Sequence, residues 1–137
     1  MFNMNEKLEK VIKFLDEAQT YYLATVEGSQ PRVRPFGTAL IYKDRLYIQT
    51  GKIKPVSKQL KSNPKAEICA FKDGKWVRIS GELIEDETRE VKTLMLEKMP
   101  MLRHMYNEDD GNMQMLYFAH AHVVFSSFTE PPEAFEI

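Results

Sequence analysis

Short turn dipeptides set close together constrain this chain more than any other feature. Gly28-Ser29, Lys43-Asp44 and Asp73-Gly74 each separate two runs rich in aromatic and β-branched residues. A two-residue turn joins antiparallel neighbours, because a parallel pair needs a crossover of about a dozen residues or more. The pattern predicts strands over 20–27, 31–42, 45–50, 65–72, 76–85 and 113–128. Strands at this density usually close into a small barrel, which removes exposed edges. The expected class is mainly β, or α+β: an antiparallel barrel with peripheral helices.

Helices fill the gaps. Residues 5–19 place Leu8, Val11, Ile12, Leu15 and Ala18 at helical spacing, with charges opposite and Asn5 as the expected N-cap. This helix is expected as a lid on the sheet. Residues 55–63 read as a short helix, since Pro55 suits the first helical position and Pro64 forbids continuation. Val56, Gln59 and Leu60 share one face of it. A third helix is expected over 86–99 with Asp86 as N-cap, and Pro100 opens a further helical piece through Met105. Asn107–Asn112 reads as an acidic surface loop, and the tail TEPPEAFEI as irregular, with Phe135 free to dock. Pro31 and Pro35 cannot donate to a ladder, so PRVRP is edge-like and open to a planar ligand.

Composition narrows the class. A length of 137 residues is that of one domain, taken as 1–137, with a core shallow enough for a dimer interface to supplement it. The net charge of −1 argues against a general nucleic-acid binder. The single Cys69 excludes an internal disulfide, suits a reducing compartment and reads as a small buried hydrophobe. No apolar run approaches a membrane span and MFNMNEKLEK is not a signal peptide. The expected location is cytoplasmic, with neither membrane nor nucleic acid as partner.

The charge is unevenly spread. Residues 28–66 hold nine basic residues against one acid, Asp44, for a formal +8, and the rest of the chain carries −9. A solvated basic face explains this, and so does a bound anion, most simply a phosphate. The best local constellation is QTGKIKPVSKQL, 49–60. There a strand ends at Thr50, Gly51 permits a close turn, and Lys52, Lys54 and Lys58 gather around Ser57 at a helix start. Helix N-termini favour phosphate, lysines add charge, and the hydroxyls of Thr50 and Ser57 can donate. The glycine spacing of a P-loop is absent. His120 and His122 face the same way on a strand, but no third ligand is nominated at recognisable spacing, with His104 the remaining histidine. No metal site is assigned. The methionines between 95 and 115 read as core or interface filling.

LATV (23–26), PRVRPF (31–36), LYIQTG (46–51), KPVSKQLKSNP (54–64) and WVRISGEL (76–83), in this order and spacing, resemble a known family. It is the FMN-binding split-barrel family, the pyridoxamine 5′-phosphate oxidase-like group that includes small nitroimidazole-resistance-related flavoproteins. The resemblance runs from residue 5 to about 128. It implies a six-stranded split barrel, a homodimer and FMN at the subunit interface. By the same resemblance Val33, Arg34, Pro35, Phe36 and Gly37 line the flavin and its phosphate, as do Gln49, Thr50 and Gly51. The family's basic clamp aligns with Pro55-Val56, so its role passes to Lys52, Lys54 or Lys58. Trp76, with Arg78 nearby, matches a residue that reaches the flavin of the other subunit. In the vitamin B6 oxidases of this group an arginine- and histidine-bearing C-terminal segment holds the substrate, and with no arginine after Arg103 in this sequence the resemblance is not expected to extend to that activity.

The resemblance therefore implies an FMN-dependent oxidoreductase acting on a small molecule, with the flavin carrying the electrons and no catalytic residue required of the chain. The alternative is a non-catalytic module that binds flavin or haem. Turnover separates the two.

Overall fold

The computed structural model describes residues 2–137. Helix α1 (Met4–Ala18) precedes strands β1 (Tyr21–Glu27), β2 (Gln30–Phe36), β3 (Leu40–Tyr42) and β4 (Arg45–Gly51). Helix α2 (Pro55–Ser62) leads into β5 (Lys65–Lys72) and β6 (Lys75–Asp86). Helix α3 (Arg89–Lys98) and a 3₁₀ turn at Pro100–His104 lead to β7 (Met113–Ser127) and β8 (Glu133–Glu136). The strand pairs are antiparallel, in the order β2-β1-β5-β6-β7-β4-β3, with β8 beside β7. The long β7 is the spine. It pairs with β6 along one edge, and its other edge takes β4 over 113–117 and β8 over 122–125. The result is an antiparallel split barrel with helices at its periphery.

The turn dipeptides do what their spacing predicts. Lys43 and Asp44 have φ of 49° and 59°, and Asp73 and Gly74 have 51° and 76°. Positive φ at both central residues is the type I′ turn, whose twist matches that of the flanking strands. Leu15, Leu23, Ile48, Ile68, Ile79 and Val123 centre the main core, which α1 covers with Val11 and Leu15. Val91, Met95 and Leu96 of α3 make a second core with Tyr47, Tyr106, Met113 and Met115. Met101 and Met105 stay exposed.

The structure corrects several expectations. Asn3, not Asn5, caps α1: its Oδ1 accepts the Glu6 N–H at 2.9 Å, and Glu6 accepts the Asn3 N–H in return, a capping box. The strand expected over 31–42 breaks at 37–39, because β2 and β3 lie at opposite ends of the strand order and the chain must cross between them. Asp86 ends β6 instead of starting a helix. Its carboxylate accepts the Tyr47 hydroxyl at 2.7 Å and the Thr88 N–H at 2.9 Å, and Thr88 takes the N-cap position. The tail adds β8, with Ile137 and Ala121 exchanging two backbone bonds of 2.9 Å and Phe135 packed on Phe125. Cys69 is only half-buried. Ala66, Ile68 and Ala70 take the core face of β5, so Cys69 points outward in register with Tyr22 and Arg78.

Candidate functional site

Arg34 anchors the site. It lies on the same face of β2 as Phe36 and beside Leu23 in register. Its Nη1 donates to the Leu23 carbonyl at 3.1 Å and the Thr25 hydroxyl at 2.7 Å, and its Nη2 to Gln59 Oε1 at 2.6 Å. The buried Thr25 hydroxyl donates to the same Gln59 oxygen at 2.6 Å. Three elements, β1, β2 and α2, are thus tied through one guanidinium. Every acceptor is neutral, and among the described residues Arg34 forms no ion pair. Burial, then the charge of Arg32, lowers its pKa from the ordinary value. The arrangement leaves about two of the five guanidinium N–H donors free.

Lys58 is next in sequence to Gln59, the partner of Arg34 on α2, and Lys54 lies four residues before Lys58 at the start of that helix. Lys54 is the N-cap of α2, and Pro55 occupies the first helical position. Neither lysine forms an ion pair among the described residues, so the charge at the helix start is not neutralised within the chain. The helix itself offers fewer free donors than its N-terminus normally would. Pro55 has no N–H, and the Ser57 N–H already bonds the Lys54 carbonyl at 3.1 Å. The Ser57 hydroxyl is also engaged, donating to Gln114 Oε1 at 2.7 Å. A cleft of about 460 Å³ beside α2 is lined by Val26, Gly28, Pro55, Lys58 and Gln59. A second, of about 580 Å³, is lined by Lys52, Ser57, Lys58, Lys61, Glu85 and Gln114. Lys58 borders both. A third cleft, between α1 and the end of β7, contains none of the residues above.

The remaining candidates fall into three groups. Gln49, Thr50 and Gly51 lead directly into the loop before α2. The Gln49 backbone is closed off by Thr38, whose hydroxyl accepts the Gln49 N–H at 2.9 Å and donates to its carbonyl at 3.2 Å. Thr50 is buried, and its hydroxyl has no partner among the described residues. Lys52 stands apart from Lys54 and Lys58. Glu85 at 3.4 Å and Glu87 at 3.3 Å pair with it, and the hydrogen bond to Glu87 and the charge of Glu85 raise its pKa. Val33 and Pro35 point to the outer face of β2, away from Arg34, while Phe36 packs on Tyr21 and Gly37 begins the crossing to β3. Trp76 lies at the far end of the β5–β6 hairpin from α2, roughly 25 Å of strand away, against Phe128 at 5.1 Å. Within one chain it does not meet the Arg34 cluster.

The histidines are elsewhere. His120 Nε2 lies 2.9 Å from Glu136 Oε1, and His122 bonds the other oxygen of the same carboxylate. His104 is in the 3₁₀ turn. The described residues hold no group of three or more His, Cys, Asp or Glu placed to share a metal.

Two partners of Arg34 were not singled out from the sequence as site residues. Gln59 carried a legible signal, a polar residue on the apolar face of a short amphipathic helix. Thr25 carried none, since threonine is common in strands.

The fold is a split barrel in which Arg34, Lys54 and Lys58 have no ion-pair partner among the described residues. The chain belongs to the pyridoxamine 5′-phosphate oxidase family, whose model matches residues 8–124. Among solved structures it is similar to a NimC/NimA family protein from Clostridium acetobutylicum, with 41% identity, a TM-score of 0.92, and 96% of this chain and 93% of that one covered. A pyridoxamine 5′-phosphate oxidase-related, FMN-binding protein from Nostoc punctiforme shares the fold at 14% identity and a TM-score of 0.65, over 100% and 97% of the two chains. A heme-binding protein from Mycobacterium smegmatis does so at 13% identity and a TM-score of 0.70, over 88% and 57%. At such identities the likeness is one of fold alone. No curated protein matches the chain.

Proposed function

We propose that this protein is an FMN-binding flavoprotein, and that it serves as an FMN-dependent oxidoreductase for a small molecule. The observation that carries the reading is Arg34: a half-buried guanidinium, fixed by neutral acceptors, with donors to spare and no carboxylate to balance it. A phosphate supplies the missing charge. Arg34, Lys54 and Lys58 would hold that phosphate, and the segments 33–37 and 49–51 would border the flavin ring. When bound, FMN supplies the redox chemistry, and the chain supplies binding and orientation. Lys52 is left out of the clamp, because its two glutamates already satisfy it.

The same reading includes a homodimer. Arg34 is in register with Leu23, Ile68 and Ile79 and shares their core-facing side of the sheet, whereas Trp76 lies on the outer side of β6, so the reading assigns the aromatic contact of the site to Trp76 of the partner subunit.

The test is binding of FMN against riboflavin, which lacks the phosphate. Flavin fluorescence quenching should give a clear preference of the wild type for FMN. The double variant Lys54→Ala, Lys58→Ala should lose FMN affinity by about two orders of magnitude and keep riboflavin affinity, since charge-assisted hydrogen bonds contribute roughly 1.5–3 kcal/mol each. Equal losses for both flavins, or none, would return these lysines to a solvated basic face. The absorption spectrum of the purified protein distinguishes flavin from haem directly.

A further inference from the structure

The acidic loop at 107–112 does more than cover the surface. Asp110 Oδ1 accepts the N–H groups of Asn112 and Met113, both at 2.8 Å, and its Oδ2 accepts that of Asn107 at 3.0 Å. One carboxylate thereby closes the whole loop on itself, with Gly111 at φ 68° making the turn. Asn112 then faces across to the loop before α2. Its backbone carbonyl accepts the Lys52 N–H at 2.8 Å, and its side-chain Oδ1 accepts the Ile53 N–H at 3.1 Å. Gly51 fits beneath it: a Cβ there would lie 3.2 Å from Asn112 Nδ2 and 3.0 Å from the Tyr106 hydroxyl. The Lys54 N–H folds back to the Gly51 carbonyl at 3.1 Å and completes the turn.

We infer that Asn112 is the positioning residue of the phosphate loop, holding residues 51–54 so that Lys54 and the start of α2 are fixed before the anion arrives. The inference rests on the phosphate reading above and adds a residue far from it in sequence. Ile53 shows why such a brace is needed. Its side chain is 76% exposed, so packing does not hold the loop, and two bonds from Asn112 do. A preordered loop avoids the entropy of ordering on binding, which would otherwise be subtracted from affinity. The brace touches neither phosphate nor flavin, and its effect reaches the ligand only through the 51–54 backbone.

The experiment uses the full-length protein with FMN and riboflavin as probes. In the wild type without flavin, the amides of Lys52 and Ile53 should exchange with solvent slowly compared with an unstructured peptide. Asn112→Ala should speed exchange at Ile53, weaken FMN roughly tenfold, the scale of one hydrogen bond, and leave riboflavin affinity unchanged. Wild-type amides at 52 and 53 that exchange as an unstructured peptide does overturn the brace without any variant. A wild type that prefers FMN, with Asn112→Ala showing the same preference, overturns the inference alone. A wild type with no preference for FMN overturns the phosphate reading and the inference with it. Slow exchange together with a selective loss of FMN supports both.

Discussion

Single residues decide the charge at the site. Lys52, Lys54 and Lys58 look equivalent in sequence, yet Glu85 and Glu87 neutralise only the first. Arg34 differs again, because it is partly desolvated and bonded to neutral oxygens through only three of its five donors. Asp110 gives a prediction at this scale. Burial pushes its pKa up, but the backbone N–H groups of Met113, Asn112 and Asn107, with the charge of Lys92, outweigh this and leave it below its ordinary value of 3.8. A carboxyl lowered in the folded state contributes stability that is complete above the unfolded value and lost as pH falls through the folded one. The 107–112 loop should therefore hold throughout the neutral and mildly acidic range. An NMR titration should put the Asp110 midpoint below 3.8 and show the Asn112 and Met113 amides losing protection over the same interval. A midpoint at or above that value would mean the three bonds are not formed in solution.

At the scale of elements, the bend in β7 is the decisive feature. Between Gly81 and Leu83 of β6, the partner strand runs from Ala121 to Phe118, one residue more than its neighbour. This bulge lets one strand serve β4 at one end and β8 at the other. Gly81 is what permits it: a Cβ there would stand 2.4 Å from the His120 carbonyl oxygen, a backbone atom that cannot swing aside. Gly81→Ala should cost about 1–3 kcal/mol, read as a lower urea midpoint with unchanged slope. Gly28→Ala is a useful control for space, since nothing lies within 4 Å of its Cβ, although its φ of +61° makes alanine strained there too.

For the whole molecule, the outer face of the sheet is unusually apolar. Tyr22, Val33, Phe71 and Phe128 are 53, 68, 60 and 81% exposed, and Trp76 joins them. Exposed apolar patches of this kind mark interaction sites. The proposed dimer would cover this face and bring Trp76 toward the other subunit's site. Sedimentation should give twice the 16.0 kDa mass of the chain, and Phe71→Glu should shift it to the monomer and weaken FMN. A monomeric wild type that binds FMN fully would refute the shared site.

Most of the antiparallel sheet was legible in the sequence. Turn dipeptides and alternation set local geometry, and local geometry is enough to place antiparallel neighbours, the short helix after Gly51 and the basic character of the segment around it. The sequence also determined Arg34 and the lysines as the cations to consider. What it could not decide were relations between residues distant along the chain. The glutamates that silence Lys52, the Gln59 and Thr25 that fix Arg34, and the Asn112 that braces the loop lie 9 to 60 residues from their partners. The break at 37–39, the strand in the tail and the outward turn of Cys69 belong to the same group. Pairing across the barrel depends on register, and register emerges only when all strands are packed together.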